Sequence, residues 1–168
     1  DSVHGDSNSW QALACVDCHQ DYNFPHIPKT AASAREHTLQ QTENCVQCHE
    51  TQHEGQLAGV HQQALDEGNL DAAVCTDCHG AHDILPKSDP ASTISREHLP
   101  KTCGKCHFGI ESAYEASVHG KAVAAGNAKA PTCEDCHSAH RIRRADTARW
   151  KLDVLSECGT CHEQSMTT

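Results

Sequence analysis

The segment Cys75-Thr-Asp-Cys-His-Gly-Ala-His82 contains the pattern that organises the whole chain. Two cysteines stand three positions apart, a histidine follows the second directly, and another histidine comes three positions later. The C-x-x-C-H part occurs six times and uses all twelve cysteines of the 168 residues. The cysteines are Cys15, Cys18, Cys45, Cys48, Cys75, Cys78, Cys103, Cys106, Cys133, Cys136, Cys158 and Cys161, and the histidines that follow are His19, His49, His79, His107, His137 and His162.

C-x-x-C-H is the attachment signature of c-type haem. Its two thiols add to the two vinyl groups on one edge of the porphyrin, and a short turn places the histidine under the iron as the proximal ligand. Disulfides, four-cysteine zinc sites and thioredoxin-like redox pairs could also use the thiols, but disulfides give no reason for the histidines, and the strand–helix context of a redox pair is absent. At this chain's histidine frequency, six of six arise by chance on the order of once in a million. The pattern predicts six haems c, numbered one to six in chain order.

The composition fits a chain that wraps its cofactors. Only 37% of the residues are hydrophobic and 4% aromatic, and the mean hydropathy is -0.63. With about 28 residues per haem, the haems must supply most of the buried apolar surface. We therefore predict a single domain over residues 1–168, mostly irregular with short α-helices and little or no β-sheet, in which neighbouring haems touch and form one chain. The stretches 57–67 and 112–125 are helix-like, and each stops at a glycine, Gly68 and Gly126.

The motifs alternate, which indicates a repeat of two haems. The odd-numbered motifs read C-x-D-C-H, with Asp17, Asp77 and Asp135, and the even-numbered motifs do not. His61 and His82 recur 58 positions later as His119 and His140. Three dihaem repeats are predicted, at approximately 1–52, 53–110 and 111–168. Because each repeat is small and has few apolar residues, it must stack on its neighbours.

With these motifs the chain resembles the multihaem c-type cytochromes of anaerobic respiring bacteria and archaea. The likeness is closest across residues 45–140, in the order C-x-x-C-H, S-x-H-G, C-x-D-C-H-x-x-H. Such proteins are mostly helix-poor, haem-packed electron conduits, and some polymerise into extracellular filaments. The resemblance implies electron transfer, with other redox proteins or extracellular electron acceptors as partners.

The net charge, the apolar runs and the expected location exclude some classes of partner. The net charge is -10 and no cluster of Lys or Arg is present, which predicts no nucleic-acid partner. The longest apolar run, 12–16, is too short for a membrane span. Covalent haem attachment takes place outside the cytoplasm, so we expect an exported protein, either extracellular (in a filament or at the cell surface) or periplasmic.

Nine histidines remain for the opposite, distal faces of the haems. The one methionine, Met166, lies four residues after His162, so we expect bis-histidine ligation throughout. Methionine ligation raises the haem potential, and its near absence predicts low potentials. The predicted distal ligands are His4, His26, His61, His82, His119 and His140. His37 and His98 are further candidates, and His53, which has no counterpart in the other repeats, is predicted to be a surface residue.

Spacing predicts which haem each distal histidine binds. His61 lies twelve residues after His49, and His119 lies twelve after His107, so each is expected to ligate the even-numbered haem before it. Haem six then needs a ligand from elsewhere, and His4, which has no haem before it, would bind haem six of a neighbouring subunit. Such a head-to-tail contact does not close and produces a filament. The odd-numbered haems would take His26, His82 and His140, with His37 and His98 as substitutes.

Two classes of function are consistent with this sequence. If every iron has two protein ligands, no position is open to a substrate, and we expect an electron carrier and no enzyme. The predicted function is long-range electron transfer along an extracellular filament. One alternative is a monomeric periplasmic shuttle, in which His4 folds back within its own chain or His98 is recruited. Another is a multihaem reductase, which needs one haem with an open distal side.

Overall fold

The computed structural model describes residues 2–5, 12–19 and 31–162. In these ranges the chain forms ten helices joined by irregular segments, and it forms no strand. The prediction of short α-helices with little or no β-sheet is confirmed for this part of the chain, but the prediction of a mostly irregular chain is wrong, because helices cover more than half of the described residues. None of the described helices has the length and apolar character needed to cross a bilayer. His26 and Met166 lie outside the described residues.

The helices are short, and most contain or adjoin an attachment motif. In chain order they are α1 (Cys15–Cys18), α2 (Ala34–Val46), α3 (Glu50–Leu57), α4 (Val60–Asp66), α5 (Cys75–His79), α6 (Leu99–Gly104), α7 (Phe108–Ala116), α8 (Val118–Ala124), α9 (Cys133–His137) and α10 (Ala148–Cys161). The odd-numbered motifs form the separate short helices α1, α5 and α9. The even-numbered motifs begin in the last turn of the helices α2, α6 and α10.

The aspartate of the odd-numbered motifs caps its own helix. In each case its carboxylate accepts a hydrogen bond of 2.7 Å from the backbone N–H three positions earlier: Asp17 from Ala14, Asp77 from Val74, and Asp135 from Thr132. A helix start leaves such N–H groups without an intrahelical partner, and the carboxylate supplies one. The residue that distinguishes odd from even motifs in the sequence therefore has a local structural role.

The helix-like stretches end at the predicted glycines but begin differently. Gly68 and Gly126 follow α4 and α8 with φ of 90° and 81°, a conformation that glycine adopts without steric cost. The stretch 57–67, however, is divided between α3 and α4, and 112–125 is divided between α7 and α8. The break leaves the N–H of Val60, the first residue of α4, free for a bond outside its own helix.

Protein side chains alone form only a small core. Among the described residues, the buried hydrophobic side chains are Ala72, Val74 and Ala130. Backbone hydrogen bonds of 2.8 Å connect the predicted repeats, from Val3 N–H to the carbonyl of Ile84 and from Val60 N–H to that of Ile142. The parts of the chain are thus held together by a few polar contacts and by little apolar packing.

Candidate haem-binding site

Five of the six motif histidines are each paired with a histidine from outside the motifs. The pairs, with the distances between ring centres, are His19 and His82 (6.0 Å), His49 and His4 (6.0 Å), His79 and His140 (6.1 Å), His107 and His61 (6.3 Å), and His162 and His119 (6.1 Å). No pair joins two motif histidines, and no histidine belongs to two pairs. The outside members are five of the six residues predicted to be distal ligands.

This separation suits an iron ion bound between the two rings. A nitrogen of imidazole binds a metal at about 2 Å and lies about 1 Å from the ring centre, so two axial imidazoles have ring centres about 6 Å apart. Ordinary aromatic pairs range from about 4.5 to 7 Å, so one such distance would decide little. The informative observation is that five pairs share this distance, and that each pair joins one motif histidine to one histidine from outside the motifs. The residues fit bis-histidine haem, and the two thiols of each motif would hold the porphyrin edge.

Thiols of neighbouring motifs are in hydrogen-bond contact. The thiol of Cys45 donates to the sulfur of Cys75, which raises the pKa of Cys45 and lowers the pKa of Cys75 to about 7. Fifty-eight positions later, Cys103 donates to Cys133 and lowers the pKa of Cys133 to about 7 in the same way. These contacts bring together the cysteines of motifs two and three, and those of motifs four and five.

Weaker electrostatic contacts connect the remaining neighbours among motifs three to six. Burial raises the pKa of Cys78, and a smaller contribution comes from Cys106 in the next motif. Burial likewise raises the pKa of Cys136, with a smaller contribution from Cys158. Motifs two to six therefore form an unbroken series in which each lies beside the next.

The pairing of the even-numbered motifs differs from the one predicted from spacing. His61 is paired with His107, and His119 is paired with His162, so each lies opposite the motif that follows it in the chain. The prediction from the twelve-residue spacing is wrong because α3 fills most of the interval after His49. Its eight residues extend the chain by about 12 Å and take His61 away from the motif before it.

His4 is likewise paired within its own chain. Its ring lies 6.0 Å from that of His49, and His162 is already paired with His119. Both reasons for assigning His4 to haem six of a neighbouring subunit are therefore removed. The monomeric alternative, in which His4 folds back, matches the structure at this point.

The histidines that closely follow an odd-numbered motif are paired one repeat back. His82 lies three residues after His79 but is paired with His19, and His140 lies three residues after His137 but is paired with His79. The turn after a motif histidine therefore directs the next histidine away from that motif. Each odd-numbered motif is thus paired with a residue from the following repeat.

His137 is the exception among the motif histidines. Its ring is stacked with the indole of Trp150 at 5.1 Å and 15°, and no described histidine is paired with it. Burial lowers the pKa of His137, which favours its neutral form. The indole N–H of Trp150 is buried without a hydrogen-bond partner among the described atoms, and as a donor it cannot ligate iron. Sequence reasoning missed Trp150, because nothing in its local sequence marks it as a neighbour of His137.

His37, His98 and His53 are not paired with any described motif histidine. His37 is exposed, and His53 is half-buried in α3. Nδ1 of His98 lies 3.1 Å from the carbonyl oxygen of Ser92, within hydrogen-bond distance. The structure thus brings neither of the two further distal candidates, His37 and His98, to a motif histidine.

Arg35 and Arg96, which stand two positions before His37 and His98, contact the capping aspartates of odd-numbered motifs. Arg35 donates to both carboxylate oxygens of Asp77, at 3.1 and 2.9 Å. Arg96 lies 3.5 Å from the carboxylate of Asp135. Each R-E-H segment therefore fixes the capping aspartate of the next odd-numbered motif.

Comparison with known proteins adds no relative. No family model, no curated protein and no solved structure matches the chain. Within the described ranges, no group of three or more His, Cys, Asp or Glu side chains is arranged to hold a metal ion by itself.

Proposed function

We propose that this chain is an electron carrier that binds six c-type haems, five of them between two histidines of the same chain. The observation that supports the proposal most strongly is the set of five histidine pairs, each joining one motif histidine to one outside histidine at 6.0 to 6.3 Å. Bound haem supplies reversible one-electron chemistry at iron. The small protein core agrees with porphyrins as the main apolar surface.

The paired histidines would favour electron transfer over substrate chemistry. Two protein ligands on one iron leave no position for a substrate. Burial lowers the pKa of His61 and His79, so both rings stay in the neutral form that ligates metal. With one methionine in 168 residues, the haem potentials are expected to be low.

The series of neighbouring motifs supports one continuous chain of haems. Contacts and charge interactions between successive thiols connect motifs two to six. Electrons would then enter from one redox partner and leave to another or to an extracellular acceptor. We propose an exported protein at the cell surface, in an extracellular filament or in the periplasm.

One observation favours a second function. His137 has no described histidine opposite it, so haem five could have an open distal side. A multihaem reductase needs such a position, and Trp150 would then lie beside the reacting haem. The same observation also suits a ligand from a second chain, so the assembly state decides between the two.

The first experiment counts haems and identifies one pair. Purified holoprotein should contain six haems per chain by intact mass and pyridine haemochrome. His140→Ala should leave haem three with one ligand. The number of haems per chain that are high-spin and bind carbon monoxide should then exceed the wild-type number by about one of the six. His53→Ala is the matched control and should leave both values unchanged. Fewer than six haems, or no spectral change in His140→Ala, would contradict the proposal.

A combined variant tests which haem His61 serves. Cys103→Ala with Cys106→Ala removes the attachment of haem four. If His61 is its distal ligand, adding His61→Ala to that chain should create no new high-spin haem. If His61 instead served haem two, the same addition would open one of the five remaining haems, and the assigned pairing would be wrong.

A further inference from the structure

The predicted repeats contact each other through one recurring backbone bond. Val3 N–H donates to the carbonyl of Ile84, and Val60 N–H donates to the carbonyl of Ile142, both at 2.8 Å. Each donor belongs to the V-H segment at the start of a repeat, and each acceptor to the H-x-I segment of the following repeat. A repeat therefore has a receiving side, marked by the valine, and a donating side, marked by the isoleucine.

The donating segment also supplies a histidine to the repeat that receives it. His82 and His140 lie two residues before Ile84 and Ile142 and are paired with His19 and His79. The same contact thus docks two repeats and completes an odd-numbered pair.

The surface that receives His140 is made of small residues. A Cβ atom at Gly55 would lie 3.2 Å from Cβ of His140, and one at Gly59 would lie 3.0 Å from its carbonyl oxygen. Fifty-eight positions later the third repeat has Ala113 and Ser117, which are the next smallest residues, so a segment docked there would lie a few tenths of an ångström further out.

No described residue occupies that receiving side. Val118, the counterpart of Val60, is 77% exposed, whereas Val60 is partly buried beneath the following repeat. His137, the counterpart of His19 and His79, has no described histidine opposite it. The docking position at Val118 and the position opposite His137 therefore both lack a partner among the described residues, and both belong to the third repeat.

We propose that the third repeat docks onto the first repeat of a second copy of this chain, which supplies the distal histidine for His137. The inference rests on the proposed function, because it concerns the ligand of a bound haem. A second copy is the natural occupant because the contact continues the one already made twice between repeats. In the sequence, the histidine–isoleucine pair after the first odd-numbered motif is His26-Ile27, which lies outside the described residues, so His26 is the donor to test by substitution. The contact is heterologous and does not close, so it adds copies into a filament.

The experiment compares spin state with assembly in purified holoprotein. Assembled wild type should have six low-spin haems per chain, and dilution to monomers should make one haem in six high-spin and able to bind carbon monoxide. Val118→Arg should give monomers with one such haem at every concentration. Leu70→Arg, a change at another exposed apolar side chain, is the control and should assemble like wild type. Light scattering and electron microscopy measure the assembly.

The donor is tested separately by His26→Ala. This variant should contain one high-spin haem in six and should assemble at least ten-fold more weakly than wild type. Wild type that is monomeric with six low-spin haems would overturn the inference and leave the proposed function intact. Assembly unaffected by Val118→Arg or by His26→Ala would also overturn it. A monomer with more than one carbon-monoxide-binding haem would instead count against the proposed function.

Discussion

At the scale of single residues, Asp77 links the sequence pattern to stability. Its carboxylate accepts from Val74 N–H at 2.7 Å and pairs with Arg35, whose guanidinium also donates to the carbonyl of Leu70 at 2.7 Å. One side chain thus starts α5 and fixes a distant arginine. Spacing in the sequence marked this aspartate, but only the fold shows that Arg35 is its partner, because 42 residues separate the two.

Removing this carboxylate should destabilise the holoprotein. We expect Asp77→Ala to lower the free energy of unfolding by about 1 to 2 kcal/mol, since it removes a helix-capping acceptor. Asp77→Asn keeps an acceptor oxygen and should recover much of that loss. Guanidinium chloride unfolding measures the effect, with Asp71→Ala, at an exposed aspartate, as the control. Equal unfolding midpoints for Asp77→Ala and Asp71→Ala would show that the cap contributes nothing.

Asp153, in α10, is expected to make the stability of the fold depend on pH. Arg143 donates to this carboxylate at 2.6 Å and lowers its pKa, and Arg149 adds a second bond at 3.1 Å. A carboxyl whose pKa is depressed by folding stabilises the fold above its unfolded pKa, and this contribution is lost as the pH falls through the folded value. Arg143→Gln should raise the pKa of Asp153 and shift acid unfolding to higher pH.

Soret circular dichroism between roughly pH 5 and pH 2 measures that shift. Lys129→Gln is the control, because it removes a cation at an exposed position that is not paired with a carboxylate among the described residues. An acid transition in Arg143→Gln at the same pH as in Lys129→Gln would contradict the assigned role.

At the scale of elements, sequence reasoning located helix ends better than helix starts. Gly68 and Gly126 ended α4 and α8 as predicted, because the left-handed conformation there depends on one residue. The breaks near Gly59 and at Ser117 were not predicted: Gly59 packs against the following repeat, whereas the hydroxyl of Ser117 caps α8 by accepting a hydrogen bond from Gly120 N–H. Likewise, spacing in the sequence singled out the five histidines that are paired with motif histidines, but not which motif each lies opposite. Residue type is local information, whereas pairing depends on where α3 and α7 direct the chain.

Gly59 tests the contact between the second and third repeats. A Cβ there would lie 3.0 Å from the carbonyl oxygen of His140 and 3.3 Å from the backbone nitrogen of Ile142. Gly59→Ala should therefore push His140 away, destabilise the fold by about 1 to 3 kcal/mol, and raise the high-spin fraction of haem three. Gly109→Ala, in α7 with open space around it, should be neutral or stabilising by up to about 1 kcal/mol. The same result for both variants would show that no crowding exists at Gly59.

At the scale of the whole molecule, the repeats are arranged so that each depends on the next. The even-numbered motifs are paired within a repeat, as His49 is with His4, whereas the odd-numbered motifs are paired across repeats, as His79 is with His140. Among the described residues, His137 in the third repeat is the motif histidine that such an array leaves without a histidine partner. The alternation of motifs predicted the repeats, but the direction of this dependence became visible only from the ring pairs.

A covalent tandem of two copies tests this directional arrangement. A flexible Gly/Ser linker would connect the third repeat of one copy to the first repeat of the next, which are the two repeats that the proposed contact joins. The linker raises the effective concentration of these two repeats for each other. Val118→Arg in the second copy alone should block further growth but keep the internal contact. That tandem should have one haem in twelve that binds carbon monoxide. Val118→Arg in both copies should remove the internal contact too and give two in twelve. Carbon monoxide titration followed by difference absorbance measures both, and equal values in the two tandems would show that the second copy does not complete haem five of the first.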